Sequence, residues 1–223
     1  MQSGSIQPPH HRNNCSMASM AATMETTDLR AAEKLDVPYL PDRIFLFSGK
    51  RKSGKDYISD ILHDRIGSDD SVIVKISGPI KSHWAKRLNL DLDGLLGDGE
   101  YKEKYRLEMA KWGEEIRNKD HGYFCRAAID MYNANTKKIW IVSDIRRKSD
   151  INWFTENYGD RCKTIRVVSS EETRKSRGWV FTKGIDDSET ECDLDDVKDW
   201  DLTVTNDNQD ISSILRLISD LIQ

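Results

Sequence analysis

Short runs of apolar and β-branched residues alternate with stretches of helical periodicity along most of this chain. Five such runs predict strands, and a helical pattern follows each of them. Strands that alternate with helices are typical of right-handed βαβ units, which build a parallel sheet with helices on both faces. The predicted strands are Ile44–Ser48, Ser71–Ser77, Lys138–Ser143, Lys163–Ser169 and Leu202–Asn206, with helices that begin near Gly54, Ile80, Lys148, Glu171 and Ile211.

The first part of the chain lacks this alternation. Residues 1–42 are rich in Ser, Pro, His, Met and Thr and carry no sustained periodicity. A segment of this composition has no means of burying an apolar face. We therefore expect a disordered N-terminal tail over residues 1–42 and one folded domain over residues 43–223.

A glycine-rich loop follows the first predicted strand. It has the pattern Gly-x-x-x-x-Gly-Lys from Gly49 to Lys55 and runs into an amphipathic helix. Successive backbone N–H groups in such a loop converge on phosphate oxygens, while the helix N-terminus and the lysine add positive charge. The pattern therefore predicts a phosphate-binding loop. A glycine-rich surface turn is the plainer alternative.

The residue after the loop lysine departs from the usual pattern. Phosphate loops commonly carry Ser or Thr there, whose hydroxyl coordinates Mg²⁺, whereas this chain has Asp56. A carboxylate also holds Mg²⁺, directly or through water, so the predicted metal role remains. The loop is unusually basic, which suits a site where several phosphates meet; its cations are Lys50, Arg51, Lys52 and Lys55.

Polar side chains follow the second and third predicted strands. Asp144 ends the third strand, and Arg146 and Arg147 come directly after it. Because strand ends of a parallel sheet lie at one edge, these residues are predicted to lie beside the phosphate loop, with Asp144 on or near Mg²⁺. The alternative is that Asp144 caps a helix and the arginines are exposed. Lys81 follows a Gly-Pro turn and is predicted near the same cleft.

A long helical stretch, roughly residues 93–133, separates the second and third predicted strands. A simple crossover needs far fewer residues, so the stretch is predicted to be an insertion, where small-molecule kinases carry an acceptor-binding subdomain. At helical spacing, Lys102, Arg106, Gly113 and Arg117 fall within an arc of roughly 60°. This cationic face is predicted to bind an anion. A solvated face paired with neighbouring glutamates stays open as the alternative.

A segment that resembles a mobile lid follows the fourth predicted strand, over roughly residues 171–190. Arg174 and Arg177 share a helix face there, and Gly178 and Gly184 bound a stretch with aromatic residues. Glycines at which a lid pivots and arginines that close over a phosphoryl group suit phosphoryl transfer. An ordinary surface loop is the alternative.

Composition narrows the class of protein. The chain has 223 residues, 32% of them charged, with a net charge of −4 and no apolar run long enough to span a membrane. We therefore expect no nucleic-acid binding and no membrane insertion. Four widely separated cysteines predict free thiols in a reducing compartment, and no signal peptide is visible, so we expect a cytosolic monomer.

Together, a phosphate loop, a strand-end aspartate, a cationic insertion and an arginine-bearing lid predict a small-molecule kinase whose acceptor is itself a phosphate. From Arg43 to about Asn206 the sequence also resembles the animal-type phosphomevalonate kinases, which have the nucleoside-monophosphate-kinase fold. The segments that carry the resemblance are residues 46–56, 77–81, 112–115, 124–126, 142–147, 149–151 and 177–182. Asp56 after the loop lysine is itself a trait of that family. Its members can end in a peroxisomal tripeptide, whereas this chain ends in Leu221-Ile222-Gln223.

The resemblance implies a three-layer α/β P-loop kinase fold with a five-stranded parallel sheet. It also implies ATP-dependent phosphorylation of (R)-5-phosphomevalonate to (R)-5-diphosphomevalonate on the route to isoprenoids and sterols. The implied ATP site is Lys50, Arg51, Lys52, Ser53, Gly54, Lys55, Asp56, Arg174 and Arg177. The expected acceptor site is Lys81, Lys102, Arg106, Arg117, Arg126, Arg146, Arg147 and Asn206. The expected catalytic residues are Lys55, Arg146, Asp144 and Lys50, and the expected Mg²⁺ ligands are Asp56 and Asp144.

Two other functions remain open from the residues alone. A nucleoside monophosphate kinase on the same fold would need a pocket for a nucleobase in the insertion. A non-catalytic nucleotide-binding scaffold would keep the fold without turnover, although the presence of Lys55, Arg146 and Arg147 argues against it.

Overall fold

A computed structural model describes residues 40–96, 100–207 and 210–222. Residues 1–39 of the tail predicted over residues 1–42 therefore lie outside the described residues. The last residue of the chain also lies outside them. The five predicted strands are all present, as β1 (Arg43–Ser48), β2 (Ser71–Val74), β3 (Ile139–Val142), β4 (Cys162–Val168) and β5 (Leu202–Thr205).

The strands form one parallel sheet in the order β2-β3-β1-β4-β5, with β1 in the centre. From β1 the chain crosses to β2, at one edge strand of the sheet. From β3, the neighbour of β1, it crosses in the opposite direction to β4. Connections that diverge in this way open a crevice beyond the carboxyl ends of the two strands. The segments that follow β1 and β3 are therefore placed side by side at this edge.

Helices cover both faces of the sheet, so the predicted three-layer α/β architecture is confirmed. The side chains of β1 alternate between the layers: Ile44 and Leu46 pack into one core cluster, and Phe45 and Phe47 into the other. The first cluster lies under α2 (Ser77–Leu88), α4 (Glu100–Arg117), α5 (Tyr123–Met131) and α6 (Lys148–Tyr158). The second lies under α1 (Lys55–Ile66) and α9 (Ile211–Ser219).

The second strand is shorter than predicted, because it ends at Val74 and not at Ser77. The backbone N–H of Ile76 donates to Asp144 Oδ1 at 2.6 Å, and that of Ser77 donates to Oδ2 at 3.0 Å. A carboxylate that accepts from the first free N–H groups of a helix stabilises that helix start. This cap comes from a distant part of the chain, and it begins α2 three residues before the predicted start.

The insertion between β2 and β3 contains α3 (Leu92–Leu96), α4 and α5. The apolar stripe of α4 faces the core, since Met109, Trp112 and Ile116 are buried. After β4 come α7 (Glu171–Ser176) and α8 (Glu189–Cys192), which bracket the segment predicted as a lid. The cationic face of α4 and the predicted lid thus both lie on segments that flank the sheet edge.

Candidate active site

The phosphate loop has backbone conformations that its glycines permit. Gly54 has a φ of 89° and directly precedes α1, whose first residue is Lys55. A Cβ at Gly54 would lie 2.2 Å from the side-chain nitrogen of Asn206, so only glycine fits there. Lys55 is buried, and its Nζ lies 3.0 Å from each carboxylate oxygen of Asp56.

Two arginines from the predicted lid contact backbone carbonyl groups of this loop. Arg174 Nε donates to the carbonyl oxygen of Arg51 at 2.8 Å. Arg177 donates to the carbonyl oxygens of Ser53 at 3.0 Å and of Asn206 at 2.7 Å. The arginines predicted to serve the nucleotide therefore lie against the phosphate loop. The indole ring of Trp179 stacks on Arg174, with the guanidinium carbon 3.9 Å from the ring centre.

Two cavities adjoin at the edge of the sheet. The first, here called the loop cavity, has a volume of about 220 Å³ and is lined by residues 50–56 of the phosphate loop with Lys102, Glu103, Arg106, Arg146 and Arg177. The second, here called the insertion cavity, has a volume of about 390 Å³ and extends between α2, α4 and the end of β3. The residues that line both cavities are Lys55, Asp56, Lys102, Arg106 and Arg146.

These shared residues form a cationic boundary between the two cavities. Four of the five carry a positive side chain, and the exception is Asp56. Although partial burial raises its pKa, the adjacent Lys55 ammonium holds the pKa of Asp56 below its ordinary value, so the carboxylate is ionised. Two polyanions, one in each cavity, would face each other across this boundary.

The adjacent arginines after β3 diverge. Arg146 lines both cavities and forms an ion pair with Glu191. Arg147 lines the insertion cavity but not the loop cavity, and its Nε and Nη2 donate to Glu114 at 3.1 and 2.6 Å. Its side chain is 4% exposed, and its Nη1 has no hydrogen-bond partner among the described residues. A buried guanidinium with an unused donor favours an anionic partner beside Arg147.

The cationic face of the insertion also points into this cavity. Lys102, Arg106 and Arg117 all line it. They are paired as well: Arg106 binds Glu103 through two bonds of 2.6 and 2.5 Å, and Arg117 Nε lies 3.4 Å from buried Asp150. The sequence left two alternatives open for this face: it binds an anion, or it pairs with acidic residues. In the structure the face lines the cavity, and two of its three cations are also paired with acidic residues.

Lys81 lies in the insertion cavity near the start of α2 and is buried. Its burial, with the neighbouring Lys102 and Lys75 ammonium groups, lowers the pKa of Lys81 to about 8. Lys75 was missed from the sequence, because the second strand was predicted to run through it. It directly follows the observed end of β2, and so lies at the sheet edge like the other strand-end residues.

Two predicted acceptor residues lie elsewhere. Asn206 donates from its side chain to the carbonyl oxygen of Ser53 at 2.8 Å, so it supports the phosphate loop. Arg126 forms an ion pair with Asp120. Neither residue lines the insertion cavity. The structure thus does not bring these two together with the other predicted acceptor residues.

The acidic partners of the loop cations, which lie at the end of the predicted lid and just after it, were also missed. Lys50 Nζ donates to Asp195 Oδ2 at 2.5 Å and to the carbonyl oxygen of Glu191 at 2.6 Å. Arg51 Nη1 donates to Asp186 Oδ2 at 2.9 Å. The sequence showed the acidic residues of this stretch, but their spacing gave no sign of which cations they would meet.

A metal site made by protein groups alone is not found in the part of the chain that the structure describes, where no three His, Cys, Asp or Glu side chains cluster suitably. Asp56 and Asp144 both line the insertion cavity. Both oxygens of Asp144 accept from backbone N–H groups, which fixes the carboxylate in place. This donor set fits Mg²⁺ that is bound through one or two carboxylates and completed by phosphate oxygens and water.

The sequence is similar to a known protein family and to a known protein. The family model described as phosphomevalonate kinase matches residues 47–160. A phosphomevalonate kinase from Drosophila melanogaster is 53% identical over 184 residues, which cover 81% of this chain and 97% of the relative.

Solved structures with a similar fold include two kinases of low sequence identity. An APS kinase from Mycobacterium tuberculosis in complex with AMPPNP and APS is 15% identical, covers 83% of this chain and 99% of its own, and has a TM-score of 0.46. A gluconokinase from Sinorhizobium meliloti is 12% identical, covers 82% of this chain and 93% of its own, and has a TM-score of 0.47.

In the described residues, no helix has the length and apolar character needed to cross a membrane.

Proposed function

This chain belongs to the phosphomevalonate kinase family, and from that premise we propose that the loop cavity holds the phosphates of ATP and the insertion cavity holds phosphomevalonate. The protein phosphorylates phosphomevalonate with ATP, which places it in the mevalonate pathway. A phosphate oxygen of the acceptor attacks the γ-phosphorus, a new P–O–P bond forms, and the bond to ADP breaks. A cytosolic location, a monomeric state and a contribution to sterol synthesis remain predictions.

The observation that carries this assignment is the cationic boundary. Lys55, Lys102, Arg106 and Arg146 line both cavities, so they lie where the γ-phosphate and the acceptor phosphate must approach. The repulsion between two polyanions opposes this reaction, and preorganised positive charge offsets it. Phosphoryl transfer needs positioning and charge more than acid–base groups, which agrees with the composition of the site.

Each shared cation has a proposed role on the transferred group. Lys55 lies at the end of the phosphate loop and stabilises the β- and γ-phosphate oxygens. Arg146 bridges the γ-phosphoryl group and the acceptor phosphate, for which its planar fork is suited. Lys50, which lines the loop cavity, stabilises the donor phosphates.

The remaining cations of the insertion cavity bind and orient the acceptor. Arg147, Arg117 and Lys81 line this cavity and are absent from the lining of the loop cavity. Phosphomevalonate carries a phosphate at one end and a carboxylate at the other, so it can engage both the boundary and these deeper cations. Ile80, Met109 and Ala110 give the same cavity an apolar wall for the carbon chain.

Mg²⁺ is part of the proposal, with Asp56 and Asp144 as the residues that would hold it. When bound, the ion would neutralise charge on the phosphates. Arg174 and Arg177 already contact carbonyl groups of the phosphate loop, and we place them over the nucleotide phosphates when the lid closes.

An acceptor assay tests the function. ADP release by the full chain is measured with ATP, Mg²⁺ and either phosphomevalonate, AMP or UMP, and the product is identified by ³¹P NMR. We expect turnover with phosphomevalonate and a product with two coupled phosphorus signals. The Lys55→Met variant reports any contaminating kinase. Faster turnover with AMP or UMP would identify a nucleoside monophosphate kinase, and the absence of ADP release with every acceptor would favour a non-catalytic scaffold.

A further inference from the structure

Glu191 is a charged residue that is almost fully buried at the edge of the active site. It lies in α8, after the predicted lid, and its side chain is only 3% exposed. A carboxylate is seldom buried to this extent without a cationic partner. Its partner is Arg146, the arginine that lines both cavities.

The backbone of the same residue contacts a second cation of the site. Lys50 Nζ donates to the carbonyl oxygen of Glu191 at 2.6 Å. Lys50 lines the loop cavity, whereas Arg146 lies at the boundary of the two cavities. Glu191 therefore contacts both Lys50, on the side of the loop cavity, and Arg146, between the two cavities, and fixes their positions relative to each other.

A bond to the start of α6 helps to fix the position of Glu191. The backbone N–H of Lys148 donates to Asp193 Oδ2 at 2.8 Å, and Asp193 is two residues beyond Glu191. Lys148 follows Arg147 directly, so the chain on which Arg146 lies is tied to the segment that carries Glu191. The ion pair is thus supported by a second contact between the two segments.

The charges at the boundary give Arg146 a use for this partner. Lys55, Lys102 and Arg106 line the same two cavities and repel its guanidinium. The Glu191 carboxylate offsets part of that repulsion. One carboxylate orients an arginine while leaving several of its N–H donors available, because the guanidinium carries more donors than one carboxylate can bind.

We propose that Glu191 is a positioning residue for phosphoryl transfer, which holds Arg146 and Lys50 in the geometry that the transferred phosphoryl group requires. This inference rests on the proposed function. It gives the acidic segment after the lid a part in catalysis without any contact between Glu191 and the substrates. The opposing view is that Glu191 is a counter-ion that competes with the phosphates for Arg146.

The first test compares Glu191→Gln with Asp196→Asn. The glutamine keeps the shape of the side chain but removes the charge that orients Arg146. Asp196 is a matched control, since it is an acidic residue in the same segment that pairs with a lysine, is 71% exposed and does not line the two cavities. For Glu191→Gln we expect kcat to fall at least about tenfold with KM for both substrates within about threefold of wild type. Asp196→Asn should retain wild-type kcat.

The second test asks whether Glu191 acts through Arg146. In an Arg146→Met background there is no guanidinium to position, so adding Glu191→Gln should change kcat by less than about twofold. If Glu191→Gln melts far below wild type, Glu191→Asp is used in its place. The aspartate keeps the charge but is too short to reach Arg146 in the same way, so Glu191→Asp should show the same loss of kcat.

Three results would overturn the proposal. They are an unchanged kcat in Glu191→Gln, a lowered KM at unchanged kcat as a competing counter-ion predicts, and a full additional loss in the Arg146→Met background. Failure of the proposed function is recognised separately, because wild type would then show no turnover with phosphomevalonate in the same assay. In that case the proposal for Glu191 fails with it.

Discussion

The ammonium group of Lys55 lies 3.0 Å from both carboxylate oxygens of Asp56, the residue that stands in place of the usual loop hydroxyl. The lysine is buried and the aspartate is largely exposed, so the pair presents one cation and one anion to the boundary of the two cavities. An anionic ligand there meets Lys55 directly, while Asp56 balances the charge of the lysine when no ligand is bound.

Removal of the Lys55 charge should act on turnover. We expect Lys55→Met to lower kcat by an amount equivalent to about 3–4 kcal/mol, because a preorganised charge is lost where negative charge develops. Lys198→Met is the control, since Lys198 is exposed and does not line either cavity. Steady-state kinetics and thermal melting are measured for both. Near-normal turnover in a folded Lys55→Met protein would mean that the loop is not the ATP site.

The two arginines after β3 should respond differently to a charge-conserving change. Arg146→Lys should lose at least about tenfold in kcat, because an ammonium group cannot bridge two phosphate oxygens as a planar guanidinium does. Arg147→Lys should mainly raise KM for phosphomevalonate, since Arg147 lines only the insertion cavity of the two. Arg216→Lys on the exposed face of α9 serves as the control. Wild-type kcat and KM in both active-site variants would place the acceptor elsewhere.

Acceptor affinity should depend on pH through Lys81. Burial, followed by the neighbouring Lys102 ammonium, lowers the pKa of Lys81 to about 8, so the free protein loses this charge as the pH rises through that value. Binding of a phosphate or carboxylate requires the charged form, so KM for phosphomevalonate should rise between about pH 7 and 9. Lys81→Met should have a higher KM at low pH and a flatter profile. An identical pH profile in wild type and variant would exclude Lys81 as the titrating group.

Two separate effects should make glycine necessary at position 54 for the stability of the fold. Gly54→Ala places an L-residue at a φ of 89° and a Cβ 2.2 Å from the side chain of Asn206. Gly178→Ala is matched, because Gly178 has a φ of 81° but nothing within 4 Å of the added Cβ. We expect the Gly178 variant to lose about 1 kcal/mol of unfolding free energy and the Gly54 variant about 2–3 kcal/mol. Equal losses in chemical denaturation would show that Asn206 moves aside at little cost.

The sequence was sufficient for the sheet and for most of the cations, because both follow from local patterns. Apolar runs mark strands, strand ends of a parallel sheet meet at one edge, and helical spacing places Lys102, Arg106 and Arg117 on one face. The end of β2 was wrong for a nonlocal reason. The helix after it is capped by Asp144, which lies 67 residues away from Ser77.

The acidic partners could not be predicted in the same way. Glu191 is 45 residues from Arg146, and Asp195 is 145 residues from Lys50. No periodicity within one element links residues so far apart. Asn206 shows a second limit of local patterns. Its place at a strand end was predicted, but its contact with the phosphate loop was not. It bonds to Ser53 in the loop, and not to a ligand in the insertion cavity.

The cationic boundary between the two cavities has a thermodynamic consequence for the affinities of both ligands. A ligand in either cavity changes the potential that the other ligand meets, because Lys55, Lys102, Arg106 and Arg146 face both. The two binding equilibria are therefore coupled, and the coupling free energy is reciprocal. Whatever factor ATP imposes on the dissociation constant of phosphomevalonate, phosphomevalonate imposes on that of ATP.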